Sequence, residues 1–316
     1  MLIQGLLEFS KSILCKEEVL GKSYKAKIAD IDVTVYFPNM PLPDPNNGMC
    51  IPLLPPEKGE KIKRGNENII WGSPIAGREP NSSHIGVHAY VNCVLIEFEH
   101  EQGETIQYIS QRIYEDAVRW ENAFVNYCEL CTKQNYNRYE QKNYGMEILS
   151  LWSHNGAIQS KEMQTITIEE TKVSKFSNEK QIQDAIEFAS AKKELLIEYQ
   201  MLLSAYKARQ QNLNRQIIID ACAAAELVLI NTIIEYSQIK QIPQGELLRK
   251  YRTLGDRFEI VKEIDPTLPK VDYAKNIVDL RNDIAHSRNV YPSNEETDTL
   301  LETVEMLLKH FHKCYY

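Results

Sequence analysis

Between about Leu213 and Tyr236 the chain carries Ile217-Ile218-Ile219, Ala221 to Ala225 and Leu227-Val228-Leu229-Ile230, apolar around most of a helix circumference. Such a helix has no face to give to water, so neighbouring helices or a second subunit must surround it. The most apolar run, Ala221 to Ile234, is short for a bilayer and holds Glu226 and Asn231. A helical bundle built round this rod is therefore expected in the C-terminal half.

The flanking patterns agree. Ile182, Ile186, Ala189, Leu196, Tyr199, Leu203 and Tyr206 form one seam of a helix expected over Glu179 to Ala208, with Asn178 and Gln181 as its capping pair. A shorter helix is expected over Leu254 to Glu263, and another from Lys270, after Pro269, through Ala274, Ile277, Leu280 and Ile284. Ser293 with Glu296 caps a last helix whose Leu300, Leu301, Val304, Leu307, Leu308 and Phe311 share a face.

The first half has a different period. Ile28 to Phe37 alternates in part and reads as a strand, with turn chemistry from Pro38 to Pro56. A strand pair is expected at Ile69–Trp71 and His84–Glu99, and two more strands at Glu147–Trp152 and Gln164–Glu169. Glu104 to about Gln134 is an amphipathic helix, and Asn135 to Tyr144 reads as a loop. With 316 residues the chain can hold two cores. The fold class expected is two-domain: a strand-rich α+β domain over 1–175, and an all-α helical domain over 176–316.

A net charge of −8 argues against bulk coating of nucleic acid, though not against a small basic pocket. The seven cysteines show no repeated spacing, so no disulfide framework is expected. Cys128 and Cys131 form a CxxC on the amphipathic helix, with no second pair at metal-ligand spacing; they read as half-buried helix cysteines. His84, His88, His100 and His154 likewise lack ligand partners in sequence, and no phosphate loop or nucleophile elbow occurs. No cofactor or metal is called for. Met1 to Glu8 shows no cationic leader, and a cytoplasmic protein without membrane attachment is expected.

Chemistry concentrates in Arg281-Asn282-Asp283-Ile284-Ala285-His286. Asn282 and His286 share a helix face with Asp283 beside them, while Arg281 lies roughly 140° from His286. Arginine offers a rigid fork of donors for phosphate, and histidine exchanges protons near neutrality. The pair suits RNA cleavage through the 2′-hydroxyl, which needs proton transfer and phosphate stabilisation. A plainer reading is that both residues simply answer the dipole at the helix end.

Leu280 to His286 resembles the signature of HEPN-domain proteins: arginine, a polar residue, three more residues, then histidine. Ile218 to Glu226 is similar to the alanine-rich early helix with a buried acid found in bacterial members. The resemblance covers about residues 180–316. It implies a homodimeric, metal-independent endoribonuclease with Arg281 and His286 of both chains at the two-fold axis and Asn282 assisting. It also implies a toxin or anti-phage role, with a regulatory trigger or antitoxin as a further partner and the first domain sensing or restraining. Asp283, Arg249, Lys250, Arg252, Arg257 and Arg288 are the candidate RNA-contacting residues. The alternative is a non-catalytic HEPN module that dimerises and binds a nucleotide or protein.

Overall fold

The computed structural model describes residues 2–41, 52–59, 69–78, 85–100, 104–136, 142–153, 158–168, 175–286 and 291–312. They form two compact units, Met1–Glu194 and Leu195–Tyr316. The first is built on an antiparallel sheet, the second on helices.

In the first unit the elements run β1 (Leu2–Lys16), β2 (Ser23–Ile28), β3 (Ile31–Tyr36), β4 (Gly72–Arg78), β5 (Ile85–Glu99), α1 (Ile106–Thr132), β6 (Lys142–Ser153), β7 (Ile158–Ile168) and α2 (Glu179–Ser190). The strands make one sheet in the order β2-β3-β5-β1-β6-β7, with β4 also paired to β5. Along β5, Val91, Cys93, Val94, Leu95, Ile96 and Phe98 are all buried. Both parities are therefore inside, as in a strand covered on two faces.

Helix α1 is capped by Thr105, whose hydroxyl accepts from the Tyr108 amide at 3.3 Å. It buries Ile109, Ile113, Ala117, Trp120 and Phe124, and Phe124 stacks on both Phe9 of β1 and Trp120. Where β1 bulges between Glu8 and Ile13, two α1 carboxylates hold it. Glu121 accepts from the amide and hydroxyl of Ser10 at 2.8 and 2.7 Å, and Glu129 pairs with Lys11 at 2.9 Å.

Several expected boundaries move. Ile28 to Phe37 is not one strand: Ile28 pairs with Ile31 across a two-residue hairpin turn, with Ala29 at φ 55°. The strand expected at Ile69–Trp71 begins at Gly72, where a Cβ would stand 1.9 Å from the Tyr90 carbonyl oxygen. The loop expected to reach Tyr144 gives way to β6 at Lys142. The helix expected over Glu179 to Ala208 is two helices. α2 ends at Ser190, and its capping box between Asn178 and Gln181 is present as read. It docks on α1 through the Tyr127–Phe188 ring pair and the Trp120–Ser190 hydrogen bond. That docking puts the division between units after Glu194, where the sequence pointed to about 175.

The second unit holds α3 (Ile197–Gln210), α4 (Asn214–Lys240), α5 (Gln244–Lys250), α6 (Leu254–Ile264), α7 (Leu280–His286) and α8 (Asn294–Phe311). α4 is the central rod, touching α3, α5, α6, α7 and α8. It buries Ile217, Ile218, Ala221, Ala224, Ala225, Val228, Leu229 and Ile233. At 27 residues it is longer than the apolar run read from sequence, and by length and composition it would suffice to cross a bilayer. Neighbouring helices bury 56% of its apolar window. Ile219 remains 50% exposed on the side the neighbours leave open. The Ser293–Glu296 capping box starts α8 as expected.

Candidate functional site

The segment carrying the six-residue motif runs from Tyr273 through a π-helical stretch, Ala274–Asp279, into α7. Such widened turns change the phase of the helix and recur at functional sites. The inner side is anchored: Tyr273 stacks on Phe258 of α6 at 4.6 Å, Ile277 and Ile284 are buried, and Asn276 donates to Thr303 of α8 at 3.2 Å. The outer side is the motif itself. Arg281, Asn282, Asp283, Ala285 and His286 are all exposed.

α7 keeps α-helical geometry across these residues, so Asn282, Asp283 and His286 stay together and Arg281 diverges from His286. No hydrogen bond or ion pair among the described residues occupies the side chains of Asn282, Asp283 or His286. Arg281 lies by α4. Burial pushes the Cys222 thiol up to about 12, and the Arg281 charge opposes that rise.

Two further arginines bear on the site. Arg215, in the first turn of α4, donates Nη2 to the Ile284 carbonyl at 3.4 Å, two residues before His286. Nothing in the sequence flagged it, because it lies far along the chain from the motif. Arg257 of α6 pairs with Glu226 of α4, which cancels part of the charge expected of it. Glu226 is partly exposed, and the acid buried on α4 is Asp220, which takes Ser204 and Gln216 at 2.7 and 2.8 Å.

The remaining candidates are not gathered onto α7. Arg249 and Lys250 end α5, with Arg249 Nε donating to the Gly245 carbonyl at 3.1 Å and Lys250 over the Tyr251 ring at 5.0 Å. Arg252 is exposed in the link to α6. Arg288, like His84 and His154, lies outside the described residues.

Among the described residues, Cys128, Cys131, His88 and His100 have structural surroundings. Cys128 is fully buried and its thiol is held well above the usual range by desolvation; Cys131 is pushed up to about 12 by the same cause. That is the reverse of the thiolate a redox pair or zinc site needs. His88 is buried in a 4.0 Å stack on Phe176, and His100 pairs with Glu104 at 2.9 Å.

Comparison of the chain with known protein families, with curated proteins and with solved structures finds no match in any of the three.

Proposed function

We propose that the chain is an endoribonuclease of HEPN type that needs no metal and acts as a homodimer, with Arg281, Asn282 and His286 of both copies around one cleft. The observation that carries the reading is α7 itself. It turns an arginine, an asparagine and a histidine to solvent while its other side is locked by Tyr273, Ile277 and Ile284. The helix that carries these side chains is anchored by the fold, while the side chains themselves are left open to a polymer. In the proposed reaction a histidine removes the 2′-hydroxyl proton, the 2′-oxygen bonds to phosphorus, and the bond to the 5′-oxygen breaks. The leaving oxygen takes a proton from the second copy's histidine, and arginine carries the charge on the phosphoryl oxygens.

A toxin or defence role fits such chemistry, with the first unit sensing a trigger. The test uses the full chain with single-stranded RNA in EDTA. Cleavage leaving 2′,3′-cyclic phosphate ends, lost in Arg281→Ala and in His286→Ala, is the result expected. Cleavage that persists in both variants overturns the assignment. A chain restrained in isolation would still arrest growth on expression, and His286→Ala would relieve the arrest.

A further inference from the structure

Beside the motif helix lies a cavity of about 440 Å³, lined by residues from the start of α4 and by the segment leading into α8. The volume is within the roughly 300–1,000 Å³ typical of small-molecule sites. Its walls include Leu213, Asn214, Arg215, Gln216, Tyr291 and Pro292. Among the described residues the lining holds one guanidinium, several carboxamides and a phenol ring, and no carboxylate. Tyr291 is 86% exposed and Leu213 50% exposed, so a flat aromatic face and an aliphatic surface stand at the mouth.

The polar groups are held in place. Gln216 donates one Nε2 hydrogen to buried Asp220 at 2.8 Å, which orients the amide and leaves its second N–H and its oxygen for a ligand. Asn214 donates its Nδ2 to the Pro292 carbonyl at 2.7 Å. A carbonyl can only accept, so this bond fixes which way the amide faces. The Asn214 Oδ1 is then buried with no donor among the described residues. Arg215, through the Ile284 carbonyl at 3.4 Å, ties the cavity to the last turn of α7, where His286 stands.

We propose that this cavity is a subsite for an unpaired nucleobase of the RNA, stacked on Tyr291, with its edge read by the carboxamides and its phosphate met by Arg215. Single-stranded RNA is recognised in this manner, by aromatic stacking and amide contacts to base edges with a cation at the backbone. For the identity of the polymer the proposal rests on the ribonuclease reading of α7; the subsite itself does not depend on cleavage.

The full chain carrying His286→Ala, which consumes no RNA, is titrated into fluorescein-labelled oligo(U), oligo(A), oligo(C) and oligo(G) and followed by anisotropy. The same chain is titrated with the four nucleoside 5′-monophosphates by calorimetry. Tyr291→Ala is expected to weaken oligonucleotide binding on the order of 10- to 100-fold, the worth of one stacked base. Tyr291→Phe should bind like its parent, and Gln216→Glu should weaken binding and flatten the preference among the four oligomers. If Tyr291→Ala binds every oligomer as its parent does, the subsite is wrong while the nuclease reading stands. If no oligomer binds but a monophosphate does, and Tyr291→Ala abolishes that, the subsite stands and the nuclease reading falls. If neither class of ligand binds, both fall.

Discussion

Glu121 is 2% exposed, and burial raises its carboxyl above the ordinary range, with the two Ser10 bonds and Lys11 opposing. An acid raised in the folded state adds stability that is complete below its unfolded value and lost as pH climbs through the folded one. At neutral pH the charged form is therefore a burden, while the bonds to Ser10 need only an acceptor oxygen. Glu121→Gln keeps that oxygen and removes the charge. Its melting temperature at pH 7 should exceed the parent's, with the gap closing toward pH 4. A gap that widens on acidification would show the charge to be favourable. Neighbouring thiols follow the same physics. Cys15 and Cys128 are completely buried with their thiols pushed up by desolvation, so iodoacetamide at pH 8 should leave both unmodified until the chain is denatured. Peptide mapping by mass spectrometry checks this, and native alkylation at either position would refute the burial.

What the sequence disclosed about the elements depended on how each one ends. Asn178 with Gln181 and Ser293 with Glu296 follow a known chemical pattern, and both capping boxes form. C-terminal ends were harder to read because the residues that turn left-handed are not glycine. Lys133, Lys192, Asn212 and Gln241 close α1, α2, α3 and α4 at φ between 54° and 57°. The break after Ser190 thus carried no glycine or proline to mark it, and two helices read as one. Ala29 concealed the β2–β3 hairpin in the same way. It occupies the first of two turn positions, at φ 55°, where glycine is the usual residue. Left-handed geometry costs an alanine roughly 1–2 kcal/mol, while glycine's extra freedom in the unfolded chain costs about 0.5–1 kcal/mol. Ala29→Gly should therefore stabilise by up to about 1 kcal/mol. Urea unfolding with an unchanged slope and a higher midpoint is the expected result; a lower midpoint would mean the turn is not strained. Ser293→Ala, in contrast, should cost about 1 kcal/mol through loss of the α8 cap, read in the same experiment.

At the level of the chain as an assembly, the motif was legible because its chemistry is local, six consecutive residues on one helix. The cavity beside it was not, because Arg215 and Tyr291 meet only through the packing of α4 against the segment before α8. The same packing sharpens the question of the second copy. Arg281 lies by Cys222 of α4, and Ile219, one turn earlier on that helix, is 50% exposed. Within one chain Arg281 and His286 diverge by roughly 140°, so a site that needs both gains from a two-fold axis that brings each beside its counterpart. If α4 and α7 form that axis, Ile219→Glu places two carboxylates face to face. Light scattering at micromolar concentration should then change from a dimeric to a monomeric mass, and RNA cleavage should be lost with it. The melting temperature should move little, because the side chain is already half in water. Mixing refolded Arg281→Ala and His286→Ala chains gives the complementary readout. Each should be inactive alone. A shared cleft in the heterodimer keeps one arginine and one histidine but lacks the second histidine that protonates the leaving oxygen, so a small fraction of the cleavage should return, with that proton drawn from water. A self-contained site predicts no recovery, since every chain in the mixture lacks one of the two groups.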